Sequence, residues 1–138
     1  MLRSLMIGKL HGLRVTGAEL HYEGSIALDP DHYEAAGILP HEFVEIWNKT
    51  TGARISTYVI PGERGSRCCV LNGAAARTCQ VGDELIIAAK ASVSDDELCD
   101  FVSRVVIFCS ENRVLHQHRH RMIKDSAGRW TMSVSTDS

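Results

Sequence analysis

Phe43-Val44-Glu45-Ile46-Trp47-Asn48-Lys49-Thr50-Thr51-Gly52-Ala53-Arg54-Ile55-Ser56-Thr57-Tyr58-Val59-Ile60-Pro61-Gly62 is the stretch that decides the class of fold. Phe43–Trp47 and Ala53–Ile60 are rich in β-branched and aromatic residues, which suit a pleated, half-buried surface. Between them Asn48–Gly52 supplies the turn formers of a hairpin connection, and Pro61-Gly62 marks a second turn. The flanks agree with a β protein. Leu2–Ile7, Leu13–Thr16, Arg67–Leu71, Glu84–Ala89 and Arg104–Phe108 read as further strands. Helical signals are few. Asp29 can cap a helix with Pro30 at its first position, running through Tyr33-Glu34-Ala35-Ala36 to a terminating Gly37. Gly73-Ala74-Ala75-Ala76-Arg77 suffices for one more turn. Many short strands and no long amphipathic helix predict a mainly β fold, a small closed or nearly closed barrel.

The chain has 138 residues, enough for one domain whose core needs no disulfide or metal. Its formal charge of −2 argues against a dedicated nucleic-acid binder, which would carry a strong basic excess. No apolar run approaches the ~20 residues of a membrane span, and the N-terminus lacks the unbroken apolar stretch of a secretory signal. Five cysteines, an odd number with no CxxC pair, suit free thiols in a reducing cytoplasm. The texture changes near residue 110. Residues 1–110 are expected to be the folded domain, and the polar segment 111–138 a flexible tail or a surface packed on a neighbour.

The chemistry is carried by His21-Tyr22-Glu23-Gly24-Ser25. Alone, Gly24-Ser25 is an ordinary turn dipeptide. It stands, however, in order with Lys9, His11, Trp47, Arg54, Ser56-Thr57-Tyr58, Glu63-Arg64-Gly65-Ser66 and Asn72-Gly73-Ala74-Ala75-Ala76. Over roughly residues 1–110 this succession resembles the pyruvoyl-dependent aspartate 1-decarboxylases. The resemblance implies a six-stranded double-psi β-barrel with short helices, assembled as a cytoplasmic homotetramer.

It also implies a self-processing precursor. The Ser25 hydroxyl would attack the Gly24 carbonyl and move the acyl group from nitrogen to oxygen; glycine tolerates the torsions such a junction demands. β-Elimination of the ester would then split the chain into 1–24 and 25–138, leaving a dehydroalanine that hydrolyses to a pyruvoyl group at position 25. Thr57 would steady the oxyanion. The pyruvoyl ketone would condense with L-aspartate as a Schiff base and serve as electron sink for loss of CO2. Tyr58 would return a proton to the α-carbon, giving β-alanine for pantothenate and coenzyme A synthesis. Arg54, with its planar fork, and Lys9 would hold the side-chain carboxylate. Gly73, Ala74 and Ala75 would line the substrate pocket with small side chains and accessible backbone N–H groups, and Thr57 would contact the substrate as well.

Other signals have plainer readings. His11 suits a structural hydrogen bond, Trp47 packing and Asp95-Asp96-Glu97 a solvated turn. If extended, His116-Gln117-His118-Arg119-His120 would align three imidazoles, but no partner ligands stand nearby, so no metal is expected. The residues leave open whether maturation needs a helper protein. Two rivals also stand: a non-enzymatic small-barrel binding module, and a pyruvoyl decarboxylase for another amino acid.

Overall fold

The hairpin at 43–61 forms as expected and sits mid-way in one long sheet. The structure, a computed structural model, describes residues 1–137. Its strands are β1 Leu2–Arg14, β2 Gly17–Glu19, β3 Ser25–Leu28, β4 Phe43–Asn48, β5 Arg54–Pro61, β6 Cys69–Asn72, β7 Glu84–Ser94, β8 Val102–Phe108, β9 Val114–Lys124 and β10 Trp130–Asp137. Helix α1, Pro30–Ala35, and two 3-10 turns, Gly73–Arg77 and Asp95–Asp100, complete the fold. The fold is thus mainly β. Among the described residues, no helix is long and apolar enough to cross a membrane.

The strand order is β10-β9-β8-β1-β7-β4-β5-β3-β6-β2. The last strand, β2, continues β1 across Val15 and Thr16, and it pairs in parallel with β6. No ladder joins β2 to β1, so the sheet is open in its hydrogen bonding. Its inner face holds the core, with Leu10, Ile26, Leu28, Ile46, Leu71 and Ile87 fully buried.

Three elements differ from the sequence reading. Leu2–Ile7 and Leu13–Thr16 belong largely to one strand, β1, because bulges rather than turns occupy the gap. Its register against β7 shifts between Met6 and Gly8 and again between His11 and Leu13, where Gly12 takes φ 92°. Ser25–Leu28 is a strand that composition alone did not reveal. The polar segment expected as a tail forms, through Asp137, the β9–β10 hairpin along β8. The free edge of β8 offers backbone donors and acceptors, and a ladder satisfies them whatever the side chains. Ser138 lies outside the described residues.

Helix α1 follows its expected caps. The Asp29 carboxylate accepts N–H bonds from Asp31 at 2.9 Å, Gly65 at 3.1 Å and Arg67 at 2.8 Å. Burial works to raise the Asp29 pKa, but these three donors outweigh it and pull the carboxyl below its usual range. The end of β3 is thereby tied to the loop that joins β5 to β6.

Candidate functional site

Ser25 opens β3 between two neighbours, antiparallel to β6 on one side and alongside parallel β5 on the other. It pairs with Asn72 and is only 1% exposed. The Asn72 side-chain amide donates to Ser25 Oγ at 3.0 Å. Asn72 stands at the N-cap of the 3-10 turn but makes no side-chain capping bond, so its amide serves the serine. The Ser25 hydroxyl donates in turn to the Glu23 carbonyl at 3.4 Å. This buried hydroxyl, one residue past a glycine, has a fixed donor on its oxygen and a short path to the Gly24 carbonyl.

Gly73 presses on the same junction. Its φ is 65°, and a Cβ placed there would stand 2.8 Å from Gly24 Cα, 2.9 Å from Gly24 N and 3.0 Å from the Tyr22 carbonyl oxygen. Only glycine permits that approach. Gly24 itself faces open space and its φ lies outside the left-handed region, so neither crowding nor a left-handed backbone requires glycine there in the uncleaved chain.

The β5 register supplies the other side. Ile26 pairs with Val59, Ala27 with Ile60 and Leu28 with Pro61. Continuing that register backwards sets Ser25 level with Tyr58 and Gly24 level with Thr57. Thr57 is half-buried opposite Val44, whereas Tyr58 lies opposite Phe43 on the other face. The Tyr58 ring stands 5.6 Å from that of His41 and 6.0 Å from that of Phe43, centroid to centroid. Ser25, Gly24, Asn72 and Gly73 thus meet at one place, and β5 runs alongside with Thr57 and Tyr58 on its two faces.

The cations do not join them within this chain. Arg54 is exposed at the far end of β5, its guanidinium 4.8 Å from the centre of the Trp47 ring. One cross-strand row carries His11, Ile86, Trp47 and Arg54, and the next carries Lys9, Ala88, Glu45 and Ser56. Lys9 thus shares a face of the sheet with Arg54 but lies on β1, separated from β3 by β7, β4 and β5. Burial, then Lys9 and Lys49, lower the pKa of His11 against the opposing pull of Glu84, which favours a neutral imidazole. Ala74 is exposed and Ala75 half-buried in the turn after Asn72.

Sequence reasoning placed Asn72 beside the pocket but did not foresee its bond to Ser25; its place just before Gly73 was the available signal. The β9 imidazoles do align, with His116 and His118 rings stacked at 6.1 Å and His118 Nδ1 2.8 Å from Thr136 Oγ1. Among the described residues no group of three or more His, Cys, Asp or Glu side chains is placed to hold a metal, and all five cysteines are free. A groove of about 760 Å³, bordered by Asp96, Glu97, Asp100 and Arg104, contains none of the site residues expected from sequence.

Comparison with known proteins gives a concordant result. A family model described as aspartate decarboxylase matches residues 1–115. The aspartate 1-decarboxylase of Xanthobacter autotrophicus is 59% identical over 133 residues, covering 96% of this chain and 89% of the relative. That of Methylobacterium nodulans is also 59% identical, over 96% of this chain and 88% of the relative. That of Paramagnetospirillum magneticum is 66% identical over 107 residues, 77% of this chain and 59% of the relative.

Proposed function

The chain belongs to the aspartate decarboxylase family, and from that premise we propose that it cleaves itself between Gly24 and Ser25 and then converts L-aspartate to β-alanine and CO2, in the service of pantothenate synthesis. The observation that carries the processing step is the buried Ser25 hydroxyl, bonded to Asn72 and pressed by Gly73 at the start of a strand. In the N-to-O acyl shift, Ser25 Oγ bonds to the Gly24 carbonyl carbon while that carbon's bond to the Ser25 nitrogen breaks. The hydroxyl proton passes to the nitrogen. Asn72 orients Oγ, and Thr57, level with Gly24, is the donor for the oxyanion. Loss of the Ser25 α-proton with cleavage of Cβ–O then frees the Gly24 carboxylate, and water releases the nitrogen as ammonia.

The surroundings fit a pyruvoyl group at position 25. Ile26–Leu28, paired on both sides, would hold the new chain end still, and Asn72 would be left as a donor toward it. When formed, the group supplies an electron sink for decarboxylation. The chain's own residues do the rest. Gly73, Ala74 and Ala75 bring backbone N–H groups beside it, and Tyr58, level with Ser25, delivers a proton to the α-carbon. Arg54 lies at the far end of β5, so it would hold the side-chain carboxylate at a Ser25 site of another copy, with Trp47 packed against its guanidinium.

Lys9, on a strand distant from β3, would likewise reach a Ser25 site only from another copy, in keeping with the homotetramer that the family resemblance implies. The course of β1, β7, β4, β5, β3 and β6 back to the continuation of β1 supports the six-stranded double-psi barrel. The deciding experiment is the denatured intact mass of purified protein. Fragments 1–24 and 25–138, the larger carrying the mass of a pyruvoyl rather than a serine terminus, are expected. A chain that stays whole after heating and after incubation with cell extract would overturn the reading.

A further inference from the structure

His41 takes φ 71°, a left-handed conformation that is uncommon outside glycine, though histidine tolerates it better than most residues. Such strain persists only where the surroundings over-determine it. Here two backbone bonds hold it: the His41 N–H donates to the Val59 carbonyl at 2.7 Å, and the Val59 N–H donates to the Glu42 carbonyl at 3.1 Å. Val59 directly follows Tyr58, so this bracket fixes His41 beside Tyr58. The two rings lie 5.6 Å apart at 53°. On the strand opposite, the Phe43 ring meets Tyr58 at 6.0 Å and 56°. Neither neighbour is core material: Phe43 is 69% exposed, and His41 is exposed as well. Two exposed rings, one on a strained backbone, flank a single phenol.

We propose that His41 is a positioning residue for Tyr58: together with Phe43 it clamps the phenol ring in the orientation from which the hydroxyl reaches the substrate α-carbon. This rests on the reading of Tyr58 as proton donor. Aromatic neighbours of this geometry bias a ring orientation by about two- to tenfold. Such a bias acts on the proton-transfer step and leaves aspartate binding alone.

The test is His41→Asn, which keeps a residue suited to the left-handed backbone and removes the ring. In fully cleaved enzyme, kcat for aspartate should fall about two- to tenfold, with KM and the extent of cleavage unchanged. In protein labelled with ring-13C tyrosine, the Tyr58 resonance, assigned from Tyr58→Phe, should shift and broaden while those of Tyr22 and Tyr33 stay in place. Phe43→Leu, on an exposed strand position without backbone strain, should reproduce both effects and serves if His41→Asn does not fold. A wild-type kcat and an unmoved Tyr58 resonance in a folded variant would overturn the clamp. A raised KM at constant kcat would overturn it too. If Tyr58→Phe itself turns over aspartate at the wild-type rate, the donor reading falls and the clamp with it. If Tyr58→Phe is inactive and His41→Asn is not slowed, the clamp alone falls.

Discussion

Replacing Gly73 by alanine tests whether the close approach at the junction is what makes it reactive. Two costs can be separated. Holding alanine at φ 65° costs about 1–2 kcal/mol, whatever surrounds it. The added Cβ would also stand 2.8 Å from Gly24 Cα and 2.9 Å from Gly24 N, both backbone atoms that cannot swing aside. Restoring ordinary contact moves Gly24 by roughly half an ångström. A displacement on the order of 1 Å can cost ~100-fold in rate, so half of it should slow cleavage about tenfold or more. Gly52→Ala is the control, since Gly52 has φ 81° but faces open space and bears only the backbone cost. Gly52→Ala should lose about 3–8 °C in Tm, and Gly73→Ala at least as much. Only Gly73→Ala should leave uncleaved chain in a time course of denatured masses. Equal cleavage rates in the two variants would refute the reasoning.

Two further outcomes are expected. His32 is buried against Phe108 with its Nδ1 unpartnered, and burial lowers its pKa despite the opposing pull of Asp29 and Asp31. The fold therefore favours the neutral ring: its contribution is fully present above the unfolded pKa of about 6.5 and is lost as pH falls through the folded value. His32→Phe should then lose less Tm than wild type between pH 7 and pH 5, as read by calorimetry; parallel losses would contradict this. Arg54→Gln should raise KM for aspartate at least tenfold, the loss of one charge-assisted bond, with cleavage intact. A block in cleavage would make Arg54 structural instead.

The strand pairs flanking Asn48–Gly52 were legible because their turn formers and β-branched residues agree. The helix from Pro30 was legible because Asp29 and Pro30 mark its start chemically. β1 was read as two strands because Gly8, Lys9, His11 and Gly12 interrupt the apolar pattern, and a bulge leaves no composition signal distinct from a turn. β9 was missed for a related reason. Its alternate residues, His116, His118 and His120 against Gln117 and Arg119, are polar on both faces, so no hydrophobic period exists to detect. At the site, residue types and their order pointed to Ser25, Thr57, Tyr58 and Gly73. The Asn72–Ser25 bond and the strained His41 bracket depend on sheet register, which no local pattern encodes.

The course of β1 bears on what the protein would become after the proposed cleavage. Residues 1–24 hold all of β1, which runs beside β7 from Leu2 to Arg14 and also pairs with β8. The severed piece would therefore remain an interior strand of the sheet, retained without a covalent link. Folding of the newly made chain is a first-order event, whereas recovery of a denatured, cleaved protein requires two polypeptides to find each other. Forming even a single mature protomer would thus depend on protein concentration, while an uncleaved protomer would fold on its own before any assembly. Its durability in use would then rest on slow unfolding rather than on the ability to fold again.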